Sequence, residues 1–254
     1  MRPLLSRHPN LSMIYVADTA HVPYSKKSPE ELESIVRRML QFFLNEKVDL
    51  VLFACNTSSA LVLPKIRAGY PLPVYGVVEP GIREALQKTK GKGIGMLANE
   101  VTAKSGVFKR LIHAKNPDIP VIEQGSTELV TLVEAGDVES SRALDAVVRN
   151  SAPFQGKIDT LILACTHFPF LQPHFVKALP GVEIIDPAFS VSDEIATHLT
   201  GRTSQAAPVR RLFATKSSPH VTAWAERVLN WKANLEILNL DKIEPWGISL
   251  KKEF

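Results

Sequence analysis

Apolar runs of strand length, each closed by a polar turn and followed by a helix-patterned segment, constrain this chain more than any other feature. Two of them end alike. Leu50-Val51-Leu52-Phe53-Ala54 leads into Cys55-Asn56-Thr57, and Leu161-Ile162-Leu163-Ala164 leads into Cys165-Thr166-His167. A run that is apolar throughout, rather than at alternate positions, fits a strand covered on both faces of a parallel sheet. Strands are expected at residues 13–17, 50–54, 73–78, 93–98, 121–123, 160–164, 182–185 and 210–214. Helical patterns lie between them at 28–45, 58–67, 81–88, 128–135, 139–150, 191–199 and 221–231, with one more after residue 102. The first opens on Ser28-Pro29-Glu30-Glu31, a capping hydroxyl and a first-turn proline with acids at the positive end of the dipole. Such alternation gives an α/β architecture with parallel sheets. In open sheets of this kind ligands bind beyond the carboxyl ends of the strands. Both cysteines, the only ones in 254 residues and 110 positions apart, fall at that edge.

A weak internal repeat accompanies the cysteines. Cys55 is followed after 24 residues by Glu79-Pro80, and Cys165 after 21 residues by Asp186-Pro187. Two half-chains of one design, related by pseudo-twofold symmetry, would bring their cysteine edges face to face.

The charge balance narrows the function classes. Thirty basic and 26 acidic residues give +4, and the basic ones are scattered as Lys26-Lys27, Arg37-Arg38, Arg210-Arg211 and Lys251-Lys252. No basic run is interleaved with aromatics, so nucleic-acid binding is not expected as the main function, and a small anionic substrate fits the charge. No apolar stretch approaches the roughly 18 to 20 residues of a membrane span. Met1-Arg2-Pro3-Leu4-Leu5-Ser6-Arg7 lacks the sustained apolar region of a secretory signal. Two cysteines in such a length argue for free thiols in a reducing compartment, the cytoplasm.

One cysteine at a strand end is most simply a small buried hydrophobe. Two thiols presented alike argue for chemistry. No second cysteine or histidine stands near either thiol at zinc-ligand spacing, and His167 and His174 are seven apart, which suits no metal motif. Gly91-Lys92-Gly93 turns into a strand rather than out of one, unlike a phosphate loop. Free cysteine titrates near 8.5, so a thiolate and a thiol can coexist near neutrality when neighbours assist. One thiolate would take a proton from carbon while the opposite thiol returns one to the other face. Asn56, Thr57, Thr166 and loop N–H groups could bind a carboxylate, and His167 could assist Cys165. Such a site interconverts mirror images.

Four motifs carry a family resemblance: Ala54-Cys55-Asn56-Thr57-Ser58-Ser59-Ala60, Ala164-Cys165-Thr166-His167-Phe168-Pro169, Ala17-Asp18-Thr19-Ala20-His21-Val22-Pro23-Tyr24 and Val78-Glu79-Pro80-Gly81. Taken in chain order they resemble glutamate racemase, of the cofactor-independent aspartate/glutamate racemase superfamily, over nearly the whole chain. Cys-Thr-His in place of Cys-Thr-Glu favours glutamate over aspartate. The resemblance implies two flavodoxin-like domains, 1–80 plus 188–254 carrying Cys55 and 81–187 carrying Cys165, with the site in the cleft between them. It implies that Cys55 takes the α-proton from D-glutamate and Cys165 takes it from L-glutamate, with Asp18, Glu134 and His167 assisting. Pro23, Tyr24, Ser25, Asn56, Thr57, Thr102, Thr166 and His167 match the substrate-contacting positions. Neither pyridoxal phosphate nor a metal is expected. D-glutamate would serve peptidoglycan synthesis, and a homodimer is left open.

This sequence departs from the family pattern in three places. Tyr24-Ser25 replaces Tyr-Gly, and Gly125-Ser126 stands where Cys-Pro is common. The opening strand and Asp-Ser-Gly loop of the family are not in the sequence, from which poor activity is expected. The competing expectations are a racemase of another amino acid such as aspartate, and a catalytically silent remnant that binds a ligand or partner. A redox role for the thiols ranks last, because a substrate-sized gap exceeds the roughly 7 Å between Cα atoms that a disulfide tolerates.

Overall fold

The structure, a computed structural model, describes residues 2–200, 207–232 and 234–247. Its strands, in chain order, are β1 (Met13–Ala17), β2 (Val51–Phe53), β3 (Val74–Gly76), β4 (Ile94–Ala98), β5 (Val121–Gly125), β6 (Thr160–Ala164), β7 (Glu183–Ile185), β8 (Arg210–Ala214) and β9 (Leu235–Ile237). Every registered pairing is parallel, with helices in the crossovers. The expected α/β class is what the chain adopts. Among the described residues no helix is long and apolar enough to cross a membrane.

The chain separates into two compact units. One comprises the stretch up to Val51, Gly69–Val74 and the stretch from Ile195 onward; the other comprises Leu52–Ala68 and Tyr75–Glu194. The first unit holds the sheet β1-β8-β9, with β1 and β8 in register from Met13↔Arg210 to Ala17↔Ala214. The Pro29–Asn45 helix covers it through Ile35 and Phe42, which pack with Phe213, Leu238 and Leu240. That helix starts where the sequence places it. Ser28 Oγ accepts from Glu31 N–H while the Glu31 carboxylate accepts from Ser28 N–H, a reciprocal cap.

The second unit holds a four-stranded parallel sheet in the order β5-β4-β6-β7. β4 and β6 are buried at every position, as continuous apolar runs require. Helices Val78–Lys88 and Val107–His113 close one core over Met96, Ile162 and Ile185 through Ile82, Phe108 and Ile112. Each side chain buried this fully contributes about 1.5–3 kcal/mol. Residues 52–68, with Cys55, group with this unit rather than with the domain 1–80 plus 188–254. The reason is local: Ala60 belongs to the same core as Met96 and Ile162, and Thr57 is hydrogen-bonded to Thr102.

Several boundaries differ from the sequence reading. The helix expected at 58–67 begins at Asn56, directly after Cys55, and breaks into Asn56–Leu61 and Leu63–Ile66 around Pro64, which has no N–H to continue the ladder. Glu79-Pro80 does not close a strand. It lies in the first turn of the Val78–Lys88 helix, where N–H groups have no intrahelical partner and proline costs little. Likewise the helix expected at 191–199 starts at Pro187, with Asp186 Oδ1 accepting from Ala188 N–H at 3.0 Å. β9, three residues long, was not anticipated.

Candidate active site

Cys55 occupies the last extended position before the Asn56–Leu61 helix. Its carbonyl accepts from Ser59 N–H at 3.0 Å and from the Ser58 hydroxyl at 3.2 Å, so the backbone is pinned while the thiol stays half-buried. Ser59 Oγ donates back to the Phe53 carbonyl at 3.0 Å, lashing the helix start to β2.

Cys165 follows β6 and is buried, 6% exposed. The strands β4 and β6 end in register at Ala98↔Ala164, so Asn99 and Cys165 leave the sheet side by side. Cys165 Sγ lies 3.4 Å from His167 Nδ1, and His167 Nε2 lies 3.4 Å from Glu134 Oε1. Glu134 ends the Thr127–Glu134 helix, whose start is capped by Ser126 Oγ accepting from Leu129 N–H.

Burial pushes the Cys165 thiol up to about 12, the His167 backbone N–H opposes this, and the charges of Cys55 and Glu134 add to the rise. Cys55 is therefore close enough for its charge to be felt at Cys165, within one unit. Burial also lowers His167 below an ordinary imidazole, against the upward pull of Glu134. A neutral imidazole facing a carboxylate with Nε2 carries its hydrogen there, which leaves Nδ1 to accept from the thiol. Cys165 is thus held as a protonated acid.

Around Cys55 the buried side chains are polar. Asn56, Thr57, Ser58 and Ser59 are each 3–5% exposed, and Thr102 is fully buried. Thr57 Oγ1 and Thr102 Oγ1 are 2.9 Å apart, and Asn56 Oδ1 is buried with no hydrogen-bond partner. Asn99 joins this group, with Nδ2 donating to Thr57 Oγ1 at 2.8 Å and Oδ1 accepting from Thr102 N–H at 2.9 Å. Sequence reasoning passed over Asn99, although an asparagine three residues before Thr102 and just ahead of a helix carries the signature of a cap.

Cys55, Cys165, His167, Glu134, Asn56, Thr57 and Thr102 thus share the second unit, as does Thr166, which is exposed. Asp18, Pro23 and Tyr24 belong to the first unit and make a cluster of their own. Asp18 accepts from Tyr24 Oη at 2.9 Å and Thr215 Oγ1 at 2.7 Å, and its Oδ1 lies 2.6 Å from His21 Nδ1. Pro23 follows a cis peptide bond. The side chain of Ser25 lies outside the described residues.

The family described as Asp/Glu/hydantoin racemase matches residues 4–190. Glutamate racemase of Desulforudis audaxviator is 41% identical over 182 residues, 71% of this chain and 67% of that protein. Glutamate racemase of Limosilactobacillus reuteri is 35% identical over 234 residues, 90% of this chain and 87% of the relative. Among solved structures, glutamate racemase isoform RacE1 of Bacillus anthracis superposes with a TM-score of 0.86 at 30% identity, covering 94% of this chain and 91% of the other. Glutamate racemase of Francisella tularensis in complex with D-glutamate gives 0.86 at 27% identity, covering 94% and 92%.

Proposed function

This chain belongs to the Asp/Glu/hydantoin racemase family and is an amino-acid racemase, and on that footing we propose that it interconverts L- and D-glutamate with Cys55 and Cys165 as paired acid/base groups. The observation that carries the proposal is the pair itself. Two free thiols end two strand-to-loop turns of one unit, near enough to influence each other, with one kept protonated by burial. Catalysis at a stereocentre needs a base on one face and an acid on the other.

Starting from D-glutamate, the Cys55 thiolate takes the α-proton: the C–H bond breaks, S–H forms, and the electron pair remains on the α-carbon. The Cys165 S–H then delivers its proton to the opposite face, leaving a thiolate that the His167 backbone N–H stabilises, with Glu134 holding the ring. The reverse direction begins from that thiolate. Proton transfer by positioned groups of this kind is worth about 100- to 10,000-fold each. The unpartnered Asn56 Oδ1 suits the substrate ammonium, and the Thr57 and Thr102 hydroxyls suit its carboxylate. Thr166, in the same unit, completes the site in this reading. D-glutamate would then feed peptidoglycan synthesis in the cytoplasm, the compartment that two unpaired thiols fit.

Glutamate is preferred to aspartate because the relatives above carry that name. The test is circular dichroism of each enantiomer of glutamate and of aspartate, incubated with the chain and no added cofactor. Racemisation of glutamate about 100-fold faster than of aspartate is expected, within the roughly 10- to 200-fold that one methylene confers. Equal rates, or aspartate alone, would overturn the substrate.

A further inference from the structure

Asn99 links the helix that follows Cys55 to the edge that carries Cys165. It leaves β4 immediately after Ala98, whose register partner Ala164 precedes Cys165. Its amide reaches away from that edge to Thr57, two residues after Cys55, at 2.8 Å. The same amide accepts from Thr102 N–H and so caps the Glu100–Lys104 helix. One side chain therefore fixes both buried threonines.

Hydrogen counting sharpens its role. Asn99 supplies a donor to Thr57 Oγ1, and the two hydroxyls at 2.9 Å use one of their two hydrogens between themselves. If Thr57 donates to Thr102, the Thr102 hydrogen remains; if Thr102 donates to Thr57, the Thr57 hydrogen remains. Either way one buried hydroxyl hydrogen of this pair is left over. An uncommitted buried donor is costly until an acceptor arrives, and a carboxylate oxygen is such an acceptor.

We propose that Asn99 is a positioning residue for racemisation, holding Thr57 and the Cys55 turn against the Cys165 edge and keeping one hydroxyl hydrogen available to the substrate carboxylate. This rests on the reading of the site as a glutamate racemase. Asn99→Ser keeps a capping oxygen while removing the amide donor, so its melting temperature stays within about 3 °C of wild type. Its kcat/KM for glutamate falls on the order of 10- to 100-fold, the scale of a small misplacement in an active site. Thr57→Ala falls comparably, and the double variant Asn99→Ser/Thr57→Ala loses little more than the worse single one, because both act through one hydrogen bond. Wild-type kcat/KM in Asn99→Ser, or losses that multiply in the double variant, would overturn the assignment.

A second arm does not depend on turnover. In a Cys165→Ser background only Cys55 can react with iodoacetamide. Asn99→Ser should change its alkylation rate several-fold, because the turn that presents the thiol is released; an unchanged rate would overturn the proposal even if wild type failed to racemise glutamate. Failure of wild-type turnover with a changed alkylation rate would remove the substrate reading and leave Asn99 as the anchor of the turn.

Discussion

Burial pushes the Cys165 thiol up to about 12, and that proton bears on folding as well as on catalysis. An unfolded cysteine titrates near 8.5. Above that value the unfolded chain has released a proton that the folded chain still holds, so stability falls as pH rises; below it the contribution is fully present. Denaturation of wild type and Cys165→Ser between about pH 8.5 and 11 should show wild type losing up to about 1.4 kcal/mol more per pH unit. Parallel curves would contradict the burial of this thiol. The cysteines themselves were legible in the sequence, because an apolar run ending in Ala-Cys fixes both the strand and its edge. Their partners were legible only in part. His167 lies two residues from its thiol, but the Asn99 hydrogen bond spans 42 residues and no local pattern encodes it.

At the scale of elements, the parallel sheet of the second unit places the loops after β4, β5 and β6, which begin at Asn99, Ser126 and Cys165, on one edge. β5 ends at Gly125 in register with Ala98, and Ser126 N–H donates to the Ala98 carbonyl at 2.9 Å. Gly125 lies so close to the neighbouring helix that an added Cβ would come within 2.9 Å of Glu100 Cα, a backbone atom. Gly125→Ala must therefore shift the Glu100–Lys104 helix, which carries Thr102. We expect a loss of about 1–3 kcal/mol, the usual cost of overpacking, read from chemical denaturation. A loss under about 0.5 kcal/mol, the range of neutral surface changes, would show that the helix yields freely. β4 and β6 stood in the sequence because their runs are apolar almost throughout, as strands buried on both faces require. The helix starts at Asn56, Val78 and Pro187 did not. Proline in a first turn looks from sequence alone like a boundary, although the absent N–H is harmless there.

At the scale of the whole molecule, two parallel α/β units were expected and two compact units are present, yet the division runs elsewhere. Sequence order assigns Cys55 to the first half; packing assigns it to the second, through Ala60 in the core and Thr57 on Thr102. A repeat of strand, cysteine and acid-proline step shows that two segments share a design. It does not show which neighbours each segment packs against, since that depends on contacts distant in sequence. The central claim is that two thiols divide one proton transfer between them. It is tested most directly by following racemisation and α-proton exchange of D- and L-glutamate in deuterated water, for wild type, Cys55→Ser and Cys165→Ser. The account predicts that wild type racemises with solvent deuterium at the inverted centre and that each serine variant loses at least about 100-fold in racemisation rate. Near-wild-type racemisation by either variant, or inversion that retains the substrate's own hydrogen, would contradict it.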